Sequence, residues 1–376
     1  MAVHILPVAS GLDFNRFLDF PYQLYRHDSS WVPPIKSDDR ALLSSSDHPF
    51  WQTAERKLFL ALRSGQVVGR IAAIIDHAYN QYVGERCGAF GFFECLDDSL
   101  AAKMLLNAAY DWLKAHDLDY MRGPVNPSTN YTCGLLVAGF EEPPALLMPY
   151  NPPYYARLLE ENHFYKEQDL FAYRIFKDKL NISPLIQAQI EQAKNNPRFH
   201  CRPANKDNLD RDIKIMLDLY RNSWAKNWYF SPLSASEENY LVDELIQIVD
   251  PNFFVLFFHE DTPAAGMVAL PDLTPFLKAL QGNLNFKAPL AYFKTKPLFE
   301  RGYRIMLFGI REEFRLLGLP ALLFSYMLGR ANAKPNLEWV EGSWVLESNT
   351  AICDLIEDFS GQITKRYRIY RQEIEP

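Results

Sequence analysis

The sequence predicts an α/β fold made of two similar halves. In each half a β-hairpin is followed by a further strand, a turn, a helix, another strand, and a helix that begins at an asparagine. These asparagines, Asn151 and Asn349, have almost the same separation in the sequence as Gly69 and Gly266 of the two hairpins. A repeated order of elements indicates an internal duplication. We therefore expect two domains, at residues 1–178 and 179–376.

Composition argues against several classes of function. With 48% hydrophobic and 23% charged residues the chain is expected to fold, and its net charge of −7 argues against a nucleic-acid partner. The five cysteines lack the spacing of a zinc site or a disulfide framework, so no metal is predicted. The longest apolar run is too short to cross a membrane, and the N-terminus does not resemble a signal peptide. We expect a cytoplasmic protein without a transmembrane segment, and the sequence does not predict its oligomeric state.

In the first half, residues 1–56 are expected to form helices and loops. Segments 57–63 and 67–77 predict a hairpin whose second strand ends at His77. A strand at 87–95, a helix capped by Ser99 and a strand at 120–125 follow. The long segment 126–148 predicts an ordered loop. Asn151 is expected to begin a helix, and a strand at 169–176 closes this half.

In the second half, a polar stretch with one helix at 177–202 and helical spacing at 209–228 precede a hairpin of 253–259 and 264–270. The segment 272–303 is an insertion relative to the first half. A buried strand at 305–310, a helix from Pro320, a strand at 338–346 and a helix from Asn349 follow. A final pair of strands is expected within 362–374.

The turn between the strand at 305–310 and the next helix is the strongest candidate for a ligand site. A helix N-terminus has unpaired N–H groups and favours negative charge. Arg315 adds a cation suited to phosphate, and Gly318 permits close approach of the backbone. The pattern therefore predicts a phosphorylated ligand. The alternative is ordinary scaffold, because such strand–turn–helix units occur in many α/β domains.

The order of elements and two short motifs resemble the GNAT acyl-CoA N-acyltransferase superfamily. The segment Phe314–Leu323 is similar to its pyrophosphate loop, and Asn349–Ile356 is similar to its later asparagine-initiated helix. The resemblance covers both halves and implies tandem duplicated GNAT-like domains, each a mixed central sheet flanked by helices. It also implies acetyl-CoA or a longer acyl-CoA as co-substrate. The residues that it assigns to this cofactor are Phe308, Gly309, Ile310, Arg311, Arg315, Leu316, Gly318, Leu319 and Asn349.

Three departures from the family pattern affect this expectation. Pro320 replaces a small residue and removes one phosphate donor, and Ile356 stands where many members have a tyrosine that protonates the departing thiolate. In the first half the matching turn, Glu94–Ser99, lacks the Arg-x-x-Gly motif and carries acidic residues that repel a pyrophosphate. We therefore expect CoA on the second half and not on the first.

Three further segments are similar to a two-domain branch of this superfamily: Gly123–Asn126, Pro149–Tyr155 and Asn227–Trp228. Some members of that branch are implicated in N-acylating sphingoid bases. The resemblance implies an amine acceptor, either a small molecule or a lipid of the sphingoid type. It leaves the acyl length and the acceptor's identity open.

Acyl transfer to an amine requires a base, for which Glu94, Glu347 and Asp272 are the candidates. Each can equally be a cap or a surface acid. The residues expected to line the acceptor site, in a cleft between the domains, carry hydroxyl, amide, imidazole or aromatic groups: His77, Asn126, Ser128, Asn130, Tyr131, Trp224 and Trp228. The alternatives are a structural histidine, a loop that covers the sheet, and aromatic residues of a helix packed in the core.

Together these observations predict a CoA-dependent N-acyltransferase. The alternative is a non-catalytic ligand-binding or interaction protein that retains the GNAT fold. Pro320 and Ile356 favour this alternative, whereas Arg315 and Gly318 oppose it.

Overall fold

The computed structural model describes residues 2–44 and 46–375. They form a mixed α/β structure, which confirms the predicted fold class. The chain divides into two compact units. Unit 1 contains the described residues up to Leu170, the segment Leu277–Ala288, and the described residues from Lys365 onward; unit 2 contains Phe171–Phe276 and Pro289–Thr364. The expected domains 1–178 and 179–376 are continuous in sequence, unlike these units, and stay a prediction.

The helices and strands are numbered in chain order. Up to residue 176 they are β1 (Val3–Pro7), α1 (Gly11–Leu24), α2 (Lys36–Leu43), β2 (Ala54–Arg63), β3 (Gln66–Asp76), α3 (His77–Val83), β4 (Cys87–Cys95), α4 (Ser99–Lys114), β5 (Tyr120–Gly123), β6 (Val125–Asn126), β7 (Thr132–Cys133), β8 (Leu135–Ala138), α5 (Tyr154–Glu160) and β9 (Tyr165–Phe176). From residue 177 they are α6 (Pro184–Lys194), β10 (Phe199–Pro203), α7 (Leu209–Trp224), α8 (Ala235–Ile248), β11 (Phe254–His259), β12 (Thr262–Pro271), α9 (Thr274–Leu280), α10 (Ala288–Phe299), β13 (Gly302–Ile310), α11 (Leu319–Ala333), β14 (Trp339–Leu346), α12 (Thr350–Asp358) and β15 (Gln362–Glu373).

The sheet of unit 1 has the strand order β1-β2-β3-β4-β5, followed by the part of β15 from Lys365. Its pairings are antiparallel except for β4 with β5, which run parallel. Helix α4 covers one face of this sheet with a buried apolar stripe, which consists of Ala101, Ala102, Leu105, Leu106, Ala109 and Leu113. Such a stripe is the pattern by which an amphipathic helix packs on a sheet.

The sheet of unit 2 has the order β14-β13-β12-β11-β10, and the end of β9 lies next to β14. The pairing of β13 with β14 is parallel, whereas β12 pairs with β13 and β11 in antiparallel fashion. Helices α6, α11 and α12 contribute buried side chains to the core on this sheet. Both sheets thus combine antiparallel hairpins with one parallel pair, as the predicted duplication requires.

Several local predictions were wrong. His77 begins helix α3, where Asp76 accepts the Tyr79 N–H, rather than ending a strand. Asp98, not Ser99, caps α4. The Asn151 side chain binds the backbone N–H and C=O of Leu136 instead of capping a helix, and α5 begins three residues later. For the two caps, neighbouring residues offered more than one possible start, whereas Asn151 binds a residue 15 positions away in the sequence.

Other elements were missed or merged. The chain ends in one long strand, β15, instead of a pair of strands. Strands β1 and β10 and helix α8 were not predicted, and the segment 126–148 contains the short strands β6, β7 and β8. Across the described residues, no helix reaches the length and apolarity needed to cross a bilayer.

Candidate functional site

The strands β13 and β14 of unit 2 separate before they end. Their parallel pairing runs from Gly302 opposite Trp339 to Ile305 opposite Gly342. Both strands continue beyond these residues, β13 to Ile310 and β14 to Leu346. The last part of β13 therefore has one edge paired with β12 and one edge that β14 does not cover, which we call the open edge.

Backbone geometry decides which groups face the open edge. The Arg311 N–H donates to Ala264 O of the neighbouring hairpin at 3.0 Å, and antiparallel strands alternate the direction of their polar groups. Gly309 and Arg311 therefore point towards β12, and Phe308 and Ile310 point towards the open edge. Of the four backbone positions assigned to the cofactor from the sequence, only these two are directed towards it.

The end of helix α7 already binds this edge. The indole Nε1 of Trp224 donates to Phe308 O at 2.8 Å, and the Ile310 N–H donates to Ser223 Oγ at 3.2 Å. Gly309 lies directly under the same helix, since a Cβ on this residue would be 2.9 Å from the Leu219 carbonyl. Trp224 was expected to bind substrate, whereas the role of Ser223 was not predicted.

The turn after β13 contains a glycine in the left-handed conformation. Gly318 has φ +73°, and a Cβ there would lie 2.6 Å from Gln189 O of α6, so the position requires glycine. Helix α11 starts at Leu319, whose side chain is buried, so this residue can offer a ligand only its backbone. The Leu322 N–H makes the first bond to Gly318 O at 3.1 Å, and the N–H groups before it have no partner within the helix. In contrast, Leu316 is 96% exposed.

Arg315 binds backbone carbonyls in this structure. Its Nη2 donates to Ser223 O at 2.9 Å and its Nε to Ile310 O at 3.4 Å. The guanidinium thus links the turn to the end of α7 and the end of β13. Arg311 forms an ion pair with Asp218 of the same helix, with 3.1 Å between Nη2 and Oδ2. The assignment of Arg315 to a pyrophosphate stays a prediction.

Further predicted residues lie just after β14, just before α12 and within α12. Asn349 immediately precedes α12, and its side chain does not cap that helix. Glu347 follows β14 and is partly exposed. Ile356 is buried beside Gly342, where its side chain has no proton to donate. The acid that the family's tyrosine supplies is therefore absent from this position of α12.

Asp272 follows β12 and is held by its own turn, because its carboxylate accepts the Thr274 N–H at 3.3 Å. Burial raises the pKa of Asp272 above its usual range. A nearby buried carboxylate, Glu341, was not predicted from the sequence. It accepts hydrogen bonds from Arg174 Nε at 2.8 Å and Ser343 Oγ at 3.0 Å, so its charge is paired inside unit 2.

In unit 1 the corresponding strand is β4, and a backbone segment lies beside its last part. Its parallel pairing with β5 ends at Ala89 opposite Arg122. Beyond this point the Phe92 N–H donates to Asn126 Oδ1 at 2.5 Å, and a Cβ on Gly91 would lie only 1.7 Å from Val125 O. The chain's own segment β6 thus fills the position beside β4. The expectation that this half does not bind CoA stays a prediction.

Glu94 of β4 is an internal carboxylate bound by two tyrosines. Its Oε2 accepts hydrogen bonds from the Tyr155 hydroxyl at 2.8 Å and from the Tyr25 hydroxyl, and Arg70 Nη2 is 4.0 Å from Oε1. Burial raises the pKa of Glu94, although Arg70 and the two hydroxyl donors act in the opposite direction. Tyr155 also accepts the Cys95 N–H at 2.8 Å, so this cluster fixes the end of β4.

The predicted loop residues of unit 1 form a local cluster. Asn126 binds Phe92 as described, and Ser128 is buried and accepts the Asn130 N–H at 3.3 Å. The Tyr131 ring packs edge-on against His48 at 5.1 Å. Burial lowers the pKa of His48 to about 4, so this imidazole is neutral at pH 7. His48 was not predicted, although it lies in a proline- and aromatic-rich turn of the sequence.

The remaining predicted residues lie elsewhere. His77 is exposed and its Nε2 is 2.9 Å from Glu55 Oε1, which suits the structural alternative. Trp228 packs against Tyr229 in unit 2, where Trp224 also lies, whereas Asn126, Ser128, Asn130 and Tyr131 belong to unit 1. Within residues 2–44 and 46–375, no group of three or more potential ligands is arranged to hold a metal.

Comparisons with solved structures identify the fold. A tandem GNAT protein from the clavulanic acid biosynthesis pathway, in a structure without AcCoA, matches with a TM-score of 0.57 at 10% identity, and the match covers 100% of this chain and 99% of that one. The GCN5-related glucosamine N-acetyltransferase region of a fungal multi-domain GH3 β-N-acetylglucosaminidase has a TM-score of 0.55 at 10% identity, covering 99% of this chain and 38% of that one. At this level of identity the matches establish a tandem GNAT fold.

Two full-length relatives are closer in sequence, although no protein-family model matches the chain. Protein YghO of Escherichia coli is 30% identical over 370 residues, or 96% of this chain and 93% of the relative. Bacterial ceramide synthase of Caulobacter vibrioides is 31% identical over 376 residues, or 98% of this chain and 97% of the relative. The chain therefore belongs to the family of these two relatives, and it has a tandem GNAT fold.

Proposed function

We propose that this protein is a CoA-dependent N-acyltransferase, which moves an acyl group from acyl-CoA to an amine acceptor. The observation that carries the proposal is the open edge of β13 after Ile305, followed directly by the Gly318 turn and the first turn of α11. A strand edge can bind the amides of an extended pantetheine arm, because its polar groups need partners. A helix N-terminus favours the pyrophosphate.

The proposal places seven of the nine residues assigned to the cofactor, because Gly309 and Arg311 point towards β12. Phe308 and Ile310 offer backbone groups to the pantetheine and thioester. The backbone that begins at Gly318 and the side chain of Arg315 bind the pyrophosphate. Leu316 and Leu319 flank it, and Asn349 lies at the start of α12. In the transfer step the amine nitrogen attacks the thioester carbonyl and loses a proton to the base; the C–N bond forms, the C–S bond breaks, and the departing thiolate takes up a proton from the protonated base or from solvent. An N–H on the open edge would stabilise the oxygen that gains charge.

Cofactor binding requires a local exchange of hydrogen bonds. Phe308 O and Ile310 N are bonded to Trp224 and Ser223, and Arg315 is bonded to carbonyls. Acyl-CoA would replace the first two bonds with bonds to its amides and would redirect Arg315 to phosphate. The Trp224 indole, the Ser223 hydroxyl and the carbonyls now bound by Arg315 would lose these partners, so binding carries the cost of breaking the bonds.

The base is proposed to be Asp272 or Glu347, both in unit 2 with the open edge. Because burial raises the pKa of Asp272, its carboxylate accepts a proton more readily near neutral pH than an exposed aspartate does. Glu94 is the third candidate, but two tyrosine hydroxyls already donate to its Oε2.

The acceptor is proposed to be a lipid amine of the sphingoid type. The support for this is the 31% identity, over nearly the whole chain, with a protein named bacterial ceramide synthase. The acyl length stays open, so the test below includes a short and a long chain.

A second candidate function is a non-catalytic protein that binds acyl-CoA or a related ligand. Two observations favour it: Ile356 is buried where the family's proton donor stands, and Arg315 is engaged by backbone carbonyls. The two candidates differ in turnover and not in the site.

The test is thermal unfolding with and without acetyl-CoA and palmitoyl-CoA. A ligand that binds only the native state raises the midpoint, by an amount equivalent to about 2.7 kcal/mol at a hundred times its Kd. Arg315→Ala should weaken binding roughly tenfold, the loss expected for one charge-assisted contact. Arg198→Ala is the matched control, because Arg198 is an exposed arginine of unit 2 whose nearest acidic oxygen, on Glu260, is 3.8 Å away.

Release of free CoA in the presence of sphinganine then separates the two candidates. Turnover supports the acyltransferase, and tight binding without turnover on sphinganine or a panel of simple amines supports the binding protein. Absence of any shift with both ligands would overturn the cofactor proposal in either form.

A further inference from the structure

We propose that Gly342 of β14 makes room for the acyl chain of acyl-CoA, so that the protein transfers an acyl group longer than acetyl. This role of Gly342 rests on the proposed function, which leaves the acyl length open. Gly342 is the last residue of β14 that pairs with β13, where it lies opposite Ile305. It is therefore placed at the point where the two strands separate and the open edge begins.

The neighbours of Gly342 do not require a glycine. A Cβ there would lie 3.6 Å from Ile356 Cδ1, an ordinary contact, and beyond the adjacent residues no other atom in the described part of the chain would be within 4 Å. At every other glycine within a strand of the described residues, a Cβ would come within 2.9 Å of another atom. Gly342 is also partly exposed. Since glycine weakens the interior of a strand and often marks the close approach of a ligand, the unfilled space at Gly342 suits a ligand.

The corresponding glycine of unit 1 has no such space. Gly342 is the fourth residue of β14, and Gly123 is the fourth residue of β5. Both strands begin their parallel pairing at their first residue, with the first residue of β13 or β4. A Cβ on Gly123 would lie 2.3 Å from Phe90 O. Backbone packing therefore accounts for the glycine in unit 1 and does not account for the one in unit 2.

The surroundings of Gly342 are apolar. Val340, two residues earlier on the same face of β14, packs in the hydrophobic core of unit 2 together with Ile356. The polar side chains of Glu341 and Ser343 belong to the other face, where they are hydrogen-bonded to each other at 3.0 Å. A phosphate or an amine placed beside Gly342 would lose its hydration without gaining a partner, whereas a hydrocarbon chain would not. The acyl chain is thus the part of the substrate that this space fits.

Helix α12 extends the apolar surface beyond the space itself. The Asn349 N–H donates to Leu346 O at the end of β14, and Ile356 lies beside Gly342, so the helix runs back along this strand. Ile352, one helical turn before Ile356, lies on the same side of α12. It is partly exposed and packs against the same core. A chain that enters at Gly342 can therefore follow α12 for about one turn, roughly 5.4 Å, which the two carbons of an acetyl group do not span.

The test is isothermal titration calorimetry of the full chain with acetyl-CoA and octanoyl-CoA. Because each buried methylene adds about fourfold to the affinity, the wild type should bind octanoyl-CoA roughly tenfold more tightly, or better. Gly342→Ala should weaken the binding of octanoyl-CoA about fourfold, and Gly342→Val roughly tenfold, by filling the space. Both variants should keep the affinity for acetyl-CoA within about twofold.

The matched controls are Gly329→Ala and Gly329→Val. Gly329 is an exposed residue of α11 in the same unit, and a Cβ there would meet no described atom within 4 Å outside the backbone of its own helix. Both affinities should therefore stay at the wild-type value. The readout is the ratio of the two affinities within one variant, because a defect in folding or in CoA binding lowers both affinities together.

Each outcome decides between the two levels of the proposal. A ratio that falls in Gly342→Ala and falls further in Gly342→Val supports the acyl-chain role. Equal wild-type affinities for the two ligands, or a ratio that Gly342→Val leaves unchanged, would overturn this role while the proposed function stands. If neither ligand binds the wild type, the proposed function fails, and the role of Gly342 fails with it.

Discussion

The two units differ in what lies beside equivalent strands. In both, a central strand pairs in parallel with its neighbour only at its beginning, β4 with β5 and β13 with β14. In unit 1 the chain's own backbone then fills the position beside the strand, with Val125 O against Gly91. In unit 2 two side chains, Ser223 and Trp224, bind the edge. A backbone segment cannot leave without unfolding its strand, whereas side chains can rotate away.

The comparison teaches how equivalent strands of two similar units can differ in what lies beside them. In unit 1, internal hydrogen bonds hold the end of β4, including those that the tyrosines donate to the carboxylate of Glu94. In unit 2, Gly318 has a left-handed conformation directly before α11, and its packing against Gln189 O leaves no room for a Cβ. The same topology can therefore serve as scaffold in one unit and as a candidate site in the other.

The largest effect is expected for Gly91→Ala. Because the new Cβ would lie 1.7 Å from Val125 O, the strand or β6 must move, and we expect a loss of about 3 kcal/mol or more of unfolding free energy. Urea unfolding followed by circular dichroism measures this loss.

Gly342→Ala is the control for that substitution in unit 2. A Cβ at Gly342 meets its nearest neighbour, Ile356, at 3.6 Å, an ordinary contact, so only a small change is expected. If both variants unfold at the same urea concentration, the edge of β4 is not closed as tightly as the comparison requires.

An intermediate effect that depends on pH is expected for Glu94→Gln. Burial raises the folded-state pKa of Glu94 above its ordinary value of 4.5, so the folded state holds this proton more tightly than the unfolded chain. Its contribution to stability is therefore full below about pH 4.5 and decreases as the pH rises through the folded-state pKa, by about 1.4 kcal/mol per unit of difference. The glutamine cannot titrate, so the wild type should lose stability relative to Glu94→Gln as the pH rises.

Thermal unfolding of both proteins between pH 4 and pH 8 measures this difference. Tyr25 and Tyr155 can still donate to the glutamine oxygen, so both proteins should stay folded throughout. A stability difference that does not change with pH would mean that Glu94 is solvated, contrary to its place in unit 1.

Sequence reasoning predicted the parts of the site that depend on local geometry. The start of α11 was located to within one residue because a glycine and a proline mark the change from strand to helix. The fold class followed from the repeated order of elements. These features are encoded within a few neighbouring residues, or in a pattern that is visible along the whole chain.

Contacts between distant residues could not be predicted in this way. The bond from Trp224 to Phe308 joins residues 84 positions apart, and the buried pair of Arg174 and Glu341 joins residues 167 apart. A glutamate within a strand gives no local sign that an arginine will neutralise it. For the same reason Asn151 was read as a helix cap, although its amide binds Leu136.

The smallest effect on stability is expected for the double variant Ser223→Ala with Trp224→Phe. This variant tests the comparison most directly, because it changes only the side chains that bind the open edge. It removes two hydrogen bonds to the open edge, which should lower the unfolding free energy by about 1 kcal/mol. Because acyl-CoA no longer has to displace these bonds, its affinity should rise about fivefold, as measured by isothermal titration calorimetry.

Asn222→Ala is the control. The Asn222 Nδ2 donates to Asp218 O on the same helix, away from β13, so loss of this bond should leave the affinity unchanged. Lower stability with higher affinity is a combination that scaffold side chains would not produce. If the affinity falls instead, Ser223 or Trp224 contacts the ligand itself, and the open edge is a preformed part of the site rather than one that binding has to uncover.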